Sequence, residues 1–460
     1  MNLRSIAYIF CSVFLMVTLF SACEKAESTE KTDGRVAQIL SDISADSIEA
    51  NIRKLASFHT RHTTSDTTSD STGIGAARRW IFDKFQQYSE ASGERLKVSY
   101  DSYVETENDR IDEPTKIVNV VAVLPGTQLE SKDRMYVVSG HYDSRVSDVM
   151  NDTAYAPGAN DDASGTAAVM ELARVMSDYE FDATIVFMAV AGEEQGLLGS
   201  THYAEQADQK NLNIAAMFTN DIIGNSIKSS DGSVHDDVVR VFAQGIPPEK
   251  ELSRYHRMLL YTGGENDTPP RQLARFIDRM AEIHMDDFGV NIIYRKDRYL
   301  RGGDHSPFLE RGYPAVRFTE PHEYYARQHQ DVRVENGIQY GDLPKFVDYD
   351  YVAKVTKLNA ASLATLANAP ARPQNVLVEI EQLENSTTLR WDANVEPDLK
   401  GYEIVWRKTH APLWQHSEFV GDTTRFTIEG VSKDNFIFGV RSVDQFGNTS
   451  PAVYPLPAWD

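Results

Sequence analysis

Apolar positions along this chain fall into two rhythms. From residue 36 to 58 they recur at three- and four-residue steps, through Ile39, Leu40, Ile43, Ile48, Ile52 and Leu55. That is the spacing of a helix with one buried face. Residues 76–88 repeat it. Residues 118–126 (VNVVAVLPG) and 134–140 (RMYVVSG) are short, β-branched and closed by glycine, and they predict strands. Residues 184–192 (TIVFMAVAG) are apolar almost without a break, the mark of a strand covered on both faces. Between these strands, residues 164–176 have helical spacing, with Ser164 placed as N-cap. Strand, helix and strand of these lengths predict a parallel crossover. Residues 214–218 and 314–318 add further strands, and the Ser/Thr/Asp stretch 63–72 adds a loop. The expected fold over residues 36–366 is α/β, a mixed, mainly parallel sheet flanked by helices.

The rhythm changes near residue 370. Residues 367–373 (ANAPARP) read as a linker. Beyond them come short alternating runs, VLVEI, TTLRW, GYEIVWR, RFTIEG and FIFGVRSVD, with turn residues at about ten-residue spacing. A small all-β sandwich over residues 374–460 is expected. A chain of 460 residues exceeds one ordinary core, so two domains agree with its length.

The N-terminus has its own signature. Arg4 precedes an apolar run over residues 6–20, then Ser21, Ala22 and Cys23. The run has the length of a secretion signal and is short for a membrane span. Small residues before a cysteine resemble a bacterial lipoprotein signal over residues 1–23, although Phe20 stands where leucine is usual. The resemblance implies a lipid on Cys23 and a polar tether over residues 24–35. It implies a membrane-anchored protein of the bacterial cell envelope, at the outer membrane and facing the periplasm or exterior; simple secretion is the alternative. Cys11 lies inside the signal, so no internal disulfide and no thiolate metal site are expected. The net charge of -22 argues against nucleic acid as a partner, because phosphate binding needs a basic face.

Five stretches offer metal-ligand side chains: SGHYDS (139–144), GANDDASG (158–165), AGEEQG (191–196), TNDIIG (219–224) and GGDHSPF (302–308). Three directly follow an apolar strand, where open α/β sheets bind ligands. Imidazole and carboxylate without thiolate suit zinc, manganese or cobalt. A two-metal hydrolytic site holds its ions about 3.5–4 Å apart, close enough for one carboxylate to span both. His141, Asp161, Glu194, Asp221 and His305 supply such a set. Glu193 is left over as a general base beside an activated water. Asp143 is placed to accept the free N–H of His141. His202, His235 and His256 lack this context and read as structural.

In this order the motifs resemble the co-catalytic zinc aminopeptidase family, over roughly residues 36–366. That family includes bacterial leucyl-aminopeptidases, glutamate-carboxypeptidase-like enzymes and glutaminyl cyclases. The resemblance implies two Zn2+ ions, one on His141 and Asp221 and the other on Glu194 and His305, with Asp161 bridging. It implies Glu193 as base, Asp143 behind His141, and a cis bond between Asp161 and Asp162. The implied activity is removal of N-terminal residues from peptide substrates. A one-zinc, glutaminyl cyclase-like acyltransferase and a catalytically silent surface binding protein are the alternatives. Residues 371–460 resemble a fibronectin type III module, on Trp391, on Asp398, Gly401 and Tyr402 in DLKGYEIVWR, and on FGVRSVDQFGNTS. Phe436 replaces the usual corner tyrosine. Residues 225–300 carry no motif and are expected to shape the substrate pocket.

Overall fold

The helical rhythm at residues 36–58 is carried by two helices, not one. The protein, a computed structural model, is described over residues 34–106, 108–248 and 252–458. The expected signal, Cys23 and all but the last two residues of the tether lie outside the described residues. Helix α1 (Gly34–Asp42) stops short of α2 (Ala45–Ala56). The break falls at Ser44, whose hydroxyl accepts the Ser47 amide at 3.2 Å and caps α2. The period runs on across the break because both helices bury their apolar residues in one core, Val36 and Ile39 beside Ile48 and Ile52.

After α3 (Gly73–Ala91) an eight-stranded sheet is built from β1 (Lys97–Glu105), β2 (Thr115–Leu124), β3 (Arg134–His141), β4 (Thr184–Val190), β5 (Asn213–Asn220), β6 (Val238–Ala243), β7 (Gly289–Ile293) and β8 (Ala315–Thr319). Its order is β1-β2-β4-β3-β5-β8-β6-β7. The central strands β4, β3, β5 and β8 are parallel. The expected mixed, mainly parallel sheet is the one observed, with an antiparallel β1–β2 edge and β6 antiparallel to β8. In β4, Ile185, Phe187 and Ala189 enter the core on one face, and Val186, Met188 and Val190 enter the core on the other. That double burial is why the run has no polar alternation.

Helix α4 (Ala163–Met176) makes the β3-to-β4 crossover. Its N-cap is Asp162, not the expected Ser164. Asp162 Oδ1 accepts the Gly165 amide at 2.8 Å. Ser164 is already helical; its hydroxyl donates to the Asn160 carbonyl at 2.7 Å and accepts the Ile223 amide at 3.1 Å. Helix α5 (Leu198–Gln209) follows β4, α6 (Arg254–Thr262) and α7 (Pro269–His284) lie between β6 and β7, and α8 (Ser306–Glu310) precedes β8. A small hairpin, β9 (Arg333–Glu335) and β10 (Ile338–Tyr340), leads to α9 (Tyr349–Asn368).

The β-rich C-terminal region contains β11 (Leu377–Val378), β12 (Thr387–Arg390), β13 (Leu399–Lys408), β14 (His416–Gly421), β15 (Arg425–Ile428), β16 (Phe436–Asp444) and β17 (Leu456–Pro457). These form two sheets, β15-β12-β11-β17 and β14-β13-β16. Leu389, Trp391, Tyr402, Ile404, Phe438 and Val440 share its core. The expected linker is not a free tether. Helix α9 runs to Asn368, and residues 367–370 are buried. Arg134 donates to the Ala369 carbonyl at 2.5 Å and pairs with Glu396 at 3.1 Å. Glu396 also accepts the Ala371 amide at 2.6 Å. A second buried ion pair joins Asp267, just before α7, to Arg407 of β13 at 2.7 Å. Proline and alanine here serve a packed corner, because the partners that bury them come from distant segments.

Candidate metal centre

The site begins with one buried carboxylate. Asp162 Oδ2 accepts the His141 amide at 3.0 Å, and Oδ1 accepts the amides of Gly165 at 2.8 Å and Ile222 at 3.3 Å. It thereby ties the end of β3, the start of α4 and the turn after β5. The segments approach closely. A Cβ on Gly165 would lie 2.1 Å from the Asn220 carbonyl oxygen, and one on Gly140 would lie 2.4 Å from the Gly165 carbonyl carbon. The peptide bond between Asp161 and Asp162 is cis. Asp342 supports the same turn, accepting the Asn160 amide at 2.8 Å and the Asp161 amide at 2.7 Å.

Two triads result. His141, Glu193 and Asp221 each bring a ligand atom within 4.8 Å of the others, and so do Asp161, Glu194 and His329. Asp161 joins them. Its Oδ1 lies 3.2 Å from His141 Nε2, and its Oδ2 lies 2.8 Å from His329 Nε2. His329 Nε2 is also 3.0 Å from Glu194 Oε1, and His141 Nε2 is 3.9 Å from Asp221 Oδ1. Ligands at 2.0–2.2 Å in a tetrahedral shell stand about 3.3–3.6 Å apart, and the spacings here, 2.8 to 3.9 Å, lie on either side of that range. Both ring nitrogens of His141, and Oε1 of Glu194, are buried beside these neighbours yet make no well-formed hydrogen bond among the described residues. Buried polar atoms in this condition call for a partner, and a zinc ion suits this nitrogen and oxygen set.

The electrostatics make the same demand for positive charge. Burial opposes a charge on His329, yet Glu194 and Asp161 push its pKa up to about 10. Burial likewise opposes charge on His141, and Asp143 and Asp161 override it, raising the ring well above its ordinary value. Burial pushes the Glu193 carboxyl well above its ordinary value; His141 opposes this, while Asp221 and Glu194 add to it.

Asp143 approaches both His141 and the turn that carries the two glutamates. Its Oδ1 lies 3.4 Å from His141 Nδ1. The same carboxylate accepts the amides of Glu193 at 3.3 Å and Glu194 at 3.1 Å. It therefore sets the imidazole and also pins the turn that presents both glutamates. Arg317, fully buried on β8, lies 3.0 Å from Asp221 Oδ1 and 3.0 Å from Asp297 Oδ2.

His305 is a correction. It belongs to neither triad. Its Nε2 lies 2.8 Å from the Lys296 carbonyl, and burial lowers its pKa to about 4. The ring is neutral, donates to that carbonyl and sits at the N-cap of α8. His329 takes the place expected of it. No apolar run leads into His329, so the local sequence pattern does not mark it. The signal that finds it is topological. β8 lies beside β5, parallel to it, so a histidine on the segment after β8 returns to the same end of the sheet. The other five sites expected to hold or serve metal, and Asp143, all converge there.

A cavity of about 330 Å³ opens over the triads, lined by Asp161, Glu193, Glu194, Asp221 and His329 together with Leu197, Leu300 and four arginines. Among the described residues of the stretch 225–300, only Arg298 and Leu300 reach it. Other parts of that stretch build the β6–β7 edge and, through Asp267, Arg275 and Arg279, meet Arg407, Pro412 and Thr449 of the C-terminal region.

Residues 119–345 match peptidase family M28. A probable zinc metalloprotease of Pyrenophora teres f. teres is 48% identical over 427 residues, covering 93% of this chain and 88% of that protein. One of Pyricularia oryzae is 48% identical over 435 residues, covering 94% of this chain and 86% of that protein. Among solved structures, the LapA aminopeptidase of Legionella pneumophila aligns with a TM-score of 0.50 at 22% identity, covering 73% of this chain and 75% of that one. LapB of the same organism aligns at 0.51 and 19% identity, with 73% and 75% covered. These two likenesses show a shared fold.

Proposed function

The chain belongs to peptidase family M28, and from that premise we propose that it is a two-zinc exopeptidase that removes N-terminal residues from peptides. The observation that carries the reading is the pair of oxygens on Asp161, one facing His141 and the other facing His329. His141 and Asp221 would hold one ion and Glu194 and His329 the other, with Asp161 available to both. When bound, the ions polarise the peptide carbonyl and make a water a stronger acid. Glu193 would take a proton from the water that adds to the peptide carbonyl and return it to the amine as the C–N bond breaks. It lies among the candidate ligands, where a carboxylate can accept that proton and return it. Asp143 holds the His141 ring and the Glu193 backbone in register for this step. A cavity of about 330 Å³ is at the small end for ligand sites and suits the end of a peptide.

Zinc-loaded protein should hydrolyse aminoacyl anilides, lose that activity to a chelator and leave N-acetylated anilides uncut. Cleavage of blocked and free substrates alike would contradict the aminopeptidase assignment. Release of pyroglutamate from N-terminal glutamine, with one zinc bound, would favour the acyltransferase reading instead.

The C-terminal sheets serve, in this reading, as a fibronectin type III-like spacer or docking element. Cys23 serves as a lipid anchor that holds the enzyme at the cell envelope. Mass spectrometry of the mature N-terminus tests the anchor. A diacyl-modified Cys23 supports it, and an unmodified start beyond residue 23 removes it.

A further inference from the structure

The charge of the cavity wall runs against the charge of the chain. The protein has 68 Asp and Glu against 46 Lys and Arg, yet Arg110, Arg145, Arg298 and Arg301 all line the cavity over the triads. The carboxylates that line it are Asp161, Glu193, Glu194 and Asp221, and all four belong to the triads. Two divalent ions offset those four charges, so the guanidinium groups set the sign that a substrate meets. Among the described residues no further carboxylate lines this cavity to pair with a cationic side chain.

The four arginines are not equally committed. Arg298 lies 2.9 Å from Glu323 and 3.1 Å from Asp297. Arg145 lies 3.2 Å from Glu194 Oε2 and 2.8 Å from His329 Nδ1. Arg110 is exposed and commits Nη1 alone, to the Glu194 carbonyl at 2.7 Å. Arg301 is exposed, and its guanidinium has no hydrogen-bond or carboxylate partner among the described residues. It sits beside Leu300, whose φ of 55° turns the chain at the rim.

We propose that the cavity takes a peptide end bearing a carboxylate, held by Arg110 and Arg301. This rests on the exopeptidase reading and names its substrate class. The guanidinium fork matches a carboxylate through two parallel hydrogen bonds. The carboxylate comes either from an acidic side chain on the terminal residue or from the free C-terminus of a dipeptide.

The test uses the zinc-loaded full chain. One arm compares kcat/KM for L-glutamyl- and L-glutaminyl-4-nitroanilide. The other compares leucyl-leucine with its C-terminal amide. We expect one arm to favour the carboxylate by about tenfold to a hundredfold, the range of a charge-assisted hydrogen bond. The preference should sit in KM and vanish in Arg110→Gln/Arg301→Gln. A readout without turnover accompanies it: calorimetry of glutarate against its monoamide, with zinc content checked for both proteins. Glutarate should bind at least tenfold more weakly to the double variant. Hydrolysis with no carboxylate preference in either arm overturns the inference and leaves the exopeptidase reading standing. Glutarate binding that needs the two arginines, without hydrolysis of any substrate, removes the exopeptidase reading and keeps the carboxylate site. Neither hydrolysis nor arginine-dependent binding removes both.

Discussion

Oδ2 of Asp161 lies 2.8 Å from Nε2 of His329, while Oδ1 of the same carboxylate lies 3.2 Å from Nε2 of His141. Two histidines from opposite ends of the catalytic region are thus brought to one carboxyl group. Each oxygen then has its own triad, with Asp221 near one and Glu194 near the other. The arrangement gathers two groups of candidate ligands and joins them through Asp161.

His329→Ala should lose close to one zinc per chain and at least about a hundredfold in activity, more than loss of a supporting residue costs. His305→Ala should keep both ions. Its penalty falls on stability, about 1–3 kcal/mol, because the Lys296 carbonyl loses its buried donor. Zinc per chain and thermal midpoints of the two variants separate the roles. Loss of zinc from His305→Ala with full retention in His329→Ala would reverse the assignment.

Glu193→Gln should retain fold and zinc while turnover drops by about 10²–10⁴-fold, the usual worth of a positioned base. The amide keeps the shape of the side chain and cannot accept the proton. Glu194→Gln should weaken zinc binding instead. Near-native turnover of a zinc-loaded Glu193→Gln protein would show that another group takes the proton.

Much of this was readable in the sequence, and the misses have physical causes. The β3, β4 and β5 runs announced themselves because each ends in ligand chemistry, so His141, Glu194 and Asp221 could be placed from pattern. Asp161 followed from its glycine-rich turn. His329 lies in QHQDV on an irregular segment, where no local period marks position, and only strand order brings it to the cleft. His305 had motif-like surroundings, but its ring is spent on a carbonyl. Ser164 looked like a cap because the sequence does not reveal that Asp162 turns its carboxylate to the Gly165 amide. The linker at residues 367–373 misled for a similar reason. Pro and Ala stretches are silent about burial when the covering groups, Arg134 and Glu396, are far away in sequence.

That junction makes the C-terminal region a structural partner of the α/β region. Arg407→Ala leaves Asp267 buried with only Arg275 as a charged partner. Breaking a buried pair in this way typically costs about 3–5 kcal/mol. A chain ending near residue 370 should lose more, because Arg134 also loses Glu396. Denaturant midpoints of Arg407→Ala and of the truncated chain check this. A truncated chain as stable as the full one would show that the junction contributes little.

Asp182 gives the same junction a pH dependence. Burial raises its pKa to about 6, and Asp398 of the β-rich region adds to the shift; Arg35 and Arg134 oppose it, and Asp444 reinforces it. The folded state therefore holds this proton more tightly than the unfolded chain. Its contribution to stability is present below about pH 4 and is lost as pH rises toward 6. Asp182→Asn should flatten that part of the stability profile. An identical slope between pH 4 and 6 in the variant would contradict the assignment.

The account turns on two cations placed either side of Asp161, and anomalous scattering at the zinc edge from crystals of the zinc-loaded protein tests it most directly. Two peaks are predicted about 3.5–4 Å apart, one beside His141 and Asp221 and the other beside Glu194 and His329, with none at His305. A single peak, or a peak ligated by His305, would contradict it.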